Sequence, residues 1–212
     1  SADMLLKAEF KDDEYGKSLE EARPALAYIP GQILYHHGHL EAARERLHAV
    51  IERWPGKDEA AFAASLIVDS WQEDGDLAKV RMWAGKFSRM SLGASEAAMA
   101  KNLNFTNLEE GATFKMAAQY IENGERELAA EAFLSFMTDF PRSKHIKKAH
   151  YNAANNFEII GQVERANELF KDYIGRIERG VYEADDQAWP IYERIAHNFA
   201  SSLELQEAVR YF

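Results

Sequence analysis

The chain has no cysteine among its 212 residues, which excludes disulfides, thiolate zinc sites and cysteine nucleophiles. Basic residues are in the minority, 25 against 35 acidic, and the net charge is −10. A nucleic-acid partner needs a concentrated basic face and is not expected. The one local basic patch, Lys144, His145, Lys147 and Lys148, reads as the solvated start of a helix after Pro141. No apolar run approaches the ~18 residues of a membrane span, so no direct membrane insertion is expected. GxGxxG, the P-loop, HExxH and GxSxG are all missing, and each absence removes a common enzyme class at its strongest local signal. The opening Ser1, Ala2, Asp3, Met4 carries no charged-then-apolar export signal and reads as the start of a mature or excised fragment.

What the chain does have is one pattern written five times. A large apolar residue is followed four positions on by Gly, five further by a small residue and four further by an apolar one. Tyr120, Gly124, Ala129, Phe133 and Phe157, Gly161, Ala166, Phe170 are the cleanest copies. Leu34, Gly38, Ala43, Leu47 and Trp71, Gly75, Val80, Ala84 are looser, and in Phe199, Leu203, Ala208, Phe212 a Leu replaces the Gly. The Gly ends one helix by entering the left-handed conformation without a Cβ penalty. The small residue then lies on the inner face of a second helix, where a short side chain lets two antiparallel helices approach. Each copy therefore predicts a helical hairpin, with Ala129 and Ala166 buried at helix crossings. Fixed-period repetition predicts an all-α stack of such units, with function on its surface.

Gly38 to Gly75 and Gly124 to Gly161 each span 37 positions, whereas Gly75 to Gly124 spans 49. The excess is placed in an insertion at 88–110, where Gly93 and the run Asn102 to Asn107 are expected to interrupt the helical pattern. A further excess before Leu203 fits the turn-rich stretch 179–186. Of the five prolines, Pro55 and Pro141 fall at hairpin ends, where they stop a helix without disrupting one. Pro30 falls inside a first helix, so a kink or a late helix start is expected at Ile29 to Gly31. The organisation expected is an N-terminal helical segment or cap at 1–23 and about five repeats over 24–212.

Ala117, Tyr120, Ala129, Phe133 and Pro141, then Ala154, Phe157, Ala166 and Phe170, with Gly31, Ala43 and Pro55 in an earlier copy, resemble the tetratricopeptide repeat. Thr113 and Met116 stand where that family has Trp and Leu, and the period exceeds the family's usual 34 residues. The resemblance implies a right-handed α-solenoid whose first helices line a concave groove. Carried over by register, the groove positions are Tyr28, Gln32 and Tyr35, then Ser65, Asp69 and Gln72, then Phe114, Ala118 and Ile121. Tyr151, Asn155 and Glu158 follow, and last Glu193, His197 and Ala200. The stretch Ala129 to Gly161 is similar to repeats of bacterial periplasmic tetratricopeptide proteins of outer-membrane assembly, cell division and myxobacterial gliding. That similarity implies a periplasmic setting, with the cytoplasm as the alternative.

The chemistry-bearing clusters have plain readings beside functional ones. His36, His37 and His39 could contribute metal ligands, but neighbouring side chains diverge around a helix end and no acidic residue within the segment completes a tetrahedral set. Asp69, Glu73, Asp74 and Asp76 follow one helix into its turn and read as solvated charge. No catalytic residue, metal or cofactor is expected. The leading expectation is a non-catalytic scaffold holding a protein partner, as an extended peptide or a helix, in the groove. The alternatives are a spacer segment of a longer solenoid, since the chain stops in mid-hairpin at Phe212, and a metal-binding or enzymatic module using His36, His37 and His39.

Overall fold

The computed structural model describes residues 14–183, 188–201 and 205–211. Among these residues ten helices follow one another and no strand occurs. They are α1 (Glu14–His36), α2 (Leu40–Arg53), α3 (Asp58–Glu73), α4 (Leu77–Ser88), α5 (Glu96–Glu122), α6 (Arg126–Asp139), α7 (Ile146–Ile159), α8 (Val163–Glu178), α9 (Ala188–Ser201) and α10 (Leu205–Val209). Among the described residues the architecture is all-α and built of the helical hairpins that the repeat predicts. The chain divides into two compact units between Thr113 and Phe114.

The turn glycines do what their spacing requires. Gly38, Gly75, Gly124 and Gly161 have φ of 76°, 72°, 79° and 80°. At Gly124 the amide bonds Ile121 O at 3.1 Å and the next amide, of Glu125, bonds Tyr120 O at 2.8 Å. The same two bonds recur at Gly38 (to Tyr35 and Leu34), Gly75 (to Gln72 and Trp71) and Gly161 (to Glu158 and Phe157). This is the Schellman cap, which satisfies carbonyls that a helix end leaves unpaired. The large residue four before each Gly is thus the one whose carbonyl the cap closes. Gly180, with φ 71°, caps α8 in the same way through Ile177 and Arg176.

The small residue is placed just as tightly. The amides of Ala43, Val80, Ala129 and Ala166 each bond the carbonyl four residues back, at His39, Asp76, Glu125 and Gln162, so each closes the first turn of a second helix. Ala43, Ala129 and Ala166 are fully buried, and Val80 is nearly so. In the first unit α1 packs on α2 and α3, α2 on α3, and α3 on α4. Leu47, Ile67, Phe87, Leu92 and Phe105 form the middle of its core. In the second unit α6 packs on α7, α7 on α8, α8 on α9 and α9 on α10. Phe133 and Phe136 centre one cluster there, and Phe157, Phe170, Ile191 and Ile195 another.

Two expectations need adjustment, and a third falls outside the described residues. The run Asn102 to Asn107 does not interrupt a helix, because α5 continues through it from Glu96 to Glu122. Asn102 is held within that helix by bonding the Leu92 carbonyl at 2.8 Å, and Ala98, Phe105 and Ala112 bury one face of it; this packing outweighs the modest helix propensity of Asn. The break in this segment falls instead at 89–95, around Gly93 with its φ of 68°. Helix α1 does not start late at Pro30, but runs through both Pro24 and Pro30. The fifth turn, at Leu203, and Phe212 lie outside the described residues, although Phe199 and Ala208 of that copy are buried together.

Candidate functional site

The first helices of the hairpins carry the rows of side chains assigned to the groove, and each row is described within its own unit. On α1 the ring of Tyr28 lies 6.5 Å from that of Phe62, and burial raises its phenol pKa. Tyr35 donates its hydroxyl to Glu73 at 2.5 Å. Burial, the accepting carboxylate and its charge push that phenol far above its ordinary value. Gln32 is half-buried and Gln72 exposed. Ser65 is buried, with its hydroxyl 3.4 Å from Asp69 and 3.3 Å from the Lys101 ammonium. Burial raises the Asp69 carboxyl pKa, with Lys101 and Ser65 opposing it. The first unit therefore ties its inner row together across α1, α3 and α5.

In the second unit Phe114 lies among rings, with centroids 5.3 Å from Phe133, 5.6 Å from Phe136 and 5.1 Å from His145. Ala118 and Ile121 pack on the same cluster. Tyr151, Asn155 and Glu158 do share one face of α7, and they meet on a residue that periodicity did not single out. Arg194, on α9, donates from Nη1 to Tyr151 Oη at 3.0 Å, from Nη2 to Asn155 Oδ1 at 2.7 Å and from Nε to Glu158 Oε2 at 2.9 Å. Asn198 extends the network, donating to Glu158 Oε1 and to Asn167 Oδ1, each at 2.9 Å. Glu193 and His197 are exposed, and Ala200 packs at the edge of the core. Arg194 stands two residues before the small residue Ala196, a register position to which the repeat assigns no groove role, so spacing alone did not mark it.

Polar contacts of a second kind link successive hairpins. Arg44, on α2, donates from Nε to the buried Ser70 hydroxyl at 2.7 Å and from Nη2 to the Ser70 carbonyl at 2.9 Å, while its guanidinium stacks 3.5 Å from the Trp71 ring centre. Arg126, on α6, donates to Asn156 Oδ1 at 3.1 Å. Asn167, on α8, accepts from Asn198. Ser70, Asn156 and Asn198 each stand two residues after the small residue of a first helix, at Val68, Ala154 and Ala196. The buried members Ser70 and Asn156 are thus satisfied from the preceding hairpin, which avoids the cost of an orphaned polar group.

His36, His37 and His39 are all exposed, and among the described residues no group of three or more His, Asp or Glu side chains is arranged to hold a metal. The fully buried histidine is another one. His150 has Nδ1 3.2 Å from Tyr182 Oη, with the rings of Tyr173 and Tyr182 edge-on to it. Burial lowers its pKa to about 4. Among the described residues no helix is long and apolar enough to cross a membrane.

Residues 112–143 match the tetratricopeptide-repeat family. They cover the C-terminal part of α5, the Gly124 turn, all of α6 and Pro141. No curated protein matches the chain. Among solved structures it is similar to a Podosopora anserina kinesin light chain protein with nearly identical TPR-like repeats, at 14% identity over 90% of this chain and 92% of that one, with a TM-score of 0.40. It is also similar to MamA of Desulfovibrio magneticus RS-1, at 13% identity over 89% and 90%, TM-score 0.38. A third is PilF of Pseudomonas aeruginosa, at 14% identity over 91% and 74%, TM-score 0.39. Overlaps of this size add nothing to that match: this is a helical-hairpin protein whose residues 112–143 match the tetratricopeptide-repeat family.

Proposed function

We propose that the protein is a non-catalytic scaffold that holds a protein partner against the inner rows of its first helices, within a bacterial cell-envelope complex. A repeat of this kind supports a protein-interaction role, because each hairpin packs one face on its neighbours and leaves a row of side chains beside the core. The observation that carries the reading is the face of α7. Tyr151, Asn155 and Glu158 are only half-buried there, on one side of one helix, fixed by Arg194. Tyr supplies a large contact at little entropic cost, and the Asn155 amide nitrogen can donate to a peptide carbonyl.

The test starts with affinity capture of a partner from the native organism, followed by titration of that partner. Tyr151→Ala should weaken binding by ~1–2 kcal/mol or more with helicity intact, while Glu168→Ala, an exposed position on α8, should leave it unchanged. Equal binding by both variants would remove the inner row as the docking surface. The envelope setting rests on the likeness of the Ala129 to Gly161 stretch to periplasmic repeats, and cell fractionation tests it directly: recovery of the native protein in the cytosol alone would sink it.

A further inference from the structure

Three acceptors on α7 converge on one cation, and that cation comes from the chain itself. Arg194 commits Nη1 to Tyr151, Nη2 to Asn155 and Nε to Glu158, and its Nη2 also reaches the same Glu158 oxygen. Its central carbon lies 4.7 Å from the ring centre of Phe170 and 5.8 Å from that of Tyr151. Acceptors placed around a planar fork, with aromatic faces beside it, match a guanidinium and not the point charge of an ammonium. The pair still reaches solvent, with the Arg194 and Glu158 side chains 25% and 21% exposed.

We infer that this face is a guanidinium-binding site filled in cis by Arg194, and that the partner segment docking on it carries an arginine which takes the site by exchange. The inference rests on the inner-row reading above and gives its partner a chemistry. A neutral segment that displaced Arg194 would leave the Glu158 carboxylate without its cation in a partly desolvated place, which is costly. An incoming arginine restores the same bonds one for one. The chain's net charge of −10 favours a basic segment on approach as well. Arg194, tethered at high effective concentration, then sets the threshold that the partner's arginine must overcome.

The experiment needs no identified partner. Arg194→Ala empties the site, and its thermal midpoint should rise on adding millimolar N-acetylarginine amide, which should leave the wild-type protein unchanged. N-acetyllysine amide should act far more weakly, and Arg194→Ala combined with Glu158→Gln should not respond. Should Arg194→Ala fail to fold, Arg194→Gln retains most of the volume, and titration with the arginine amide followed by NMR then reads the same site. There, binding about tenfold tighter than to wild type is expected once the tethered competitor is gone. No response of the emptied variant, or an equal response to the lysine and arginine compounds, overturns the inference. Either result leaves the effect of Tyr151→Ala on a captured partner untouched, so the failure of this site and the failure of the docking surface are read separately.

Discussion

Gly31 and Leu47 meet where α1 crosses α2: a Cβ on Gly31 would lie 2.8 Å from both Cγ and Cδ2 of Leu47. Leu47 is fully buried, and Cγ is not the free end of a flexible side chain, so it has little room to give way. Gly31→Ala should therefore lose ~1 kcal/mol, the overpacking exceeding the ~0.5–1 kcal/mol that Ala gains over Gly within a helix. Gly111, helical in α5, is the contrast, because a methyl group added there would meet nothing within 4 Å. Gly111→Ala should gain ~0.5–1 kcal/mol. Urea unfolding of the two variants checks both signs, and a gain in each would show that the α1–α2 crossing is looser than its geometry.

The second-helix crossings make the same demand. Ala129 and Ala166 are fully buried, and each supplies the amide that closes the first turn of its helix. Ala129→Leu or Ala166→Leu should cost ~1–3 kcal/mol by overpacking. An unchanged thermal midpoint in both would contradict the placement of the small residue at the seam.

These positions were legible in the sequence because the constraint on each is local. A cap at Gly124 or Gly161 requires a left-handed residue at one point of the chain, and the small residue follows at a fixed distance. The continuity of α5 was hidden by the same local logic. Asn102 reads as a helix breaker until the Leu92 carbonyl that it bonds is known, and Leu92 is reached only by folding the loop before it. Arg194 was hidden for another reason. Its partners Tyr151, Asn155 and Glu158 lie 43, 39 and 36 positions away in sequence, and register shows which face they share but not which cation meets them.

One carboxylate ties down the end of the loop before α5. Asp58 Oδ1 accepts from the amides of Ala94 at 2.9 Å and Ser95 at 3.1 Å, and the Gly93 amide bonds Pro55 O at 3.0 Å. Hydrogen bonding from Ser95 and from the Ala94 and Ser95 amides holds the Asp58 carboxyl below its ordinary pKa. The contribution is thus fully present above the ordinary carboxylate range and is lost as pH falls through the lowered value. Asp58→Ala should speed hydrogen exchange at Ala94 and Ser95 at neutral pH, with α7 and α8 unaffected. Unchanged exchange at those two amides would mean that the loop is held by Gly93 and Leu92 alone.

Acid should weaken the second unit through His150. Its imidazole is fully buried against Tyr173 and Tyr182, with Nε2 3.8 Å from Asp172 Oδ2. Burial is the main cause that lowers its pKa from 6.5 to about 4, and Arg176 adds to the lowering while Asp172 opposes it. Above pH 6.5 the imidazole is neutral in the folded and the unfolded chain, and it contributes no pH dependence. As pH falls below that value the unfolded chain takes up a proton that the folded one refuses, so stability declines until the folded imidazole itself titrates, near 4. The whole window amounts to ~3 kcal/mol, of which ~2 kcal/mol is gone by about pH 5. His150→Asn, which retains a polar atom toward the Tyr182 hydroxyl, should be less stable than wild type at neutral pH, and the difference should narrow on acidification because the wild type alone carries this proton penalty. Urea unfolding of both proteins at neutral and mildly acid pH measures it, and parallel losses would show that the acid response comes from the carboxylates and not from His150.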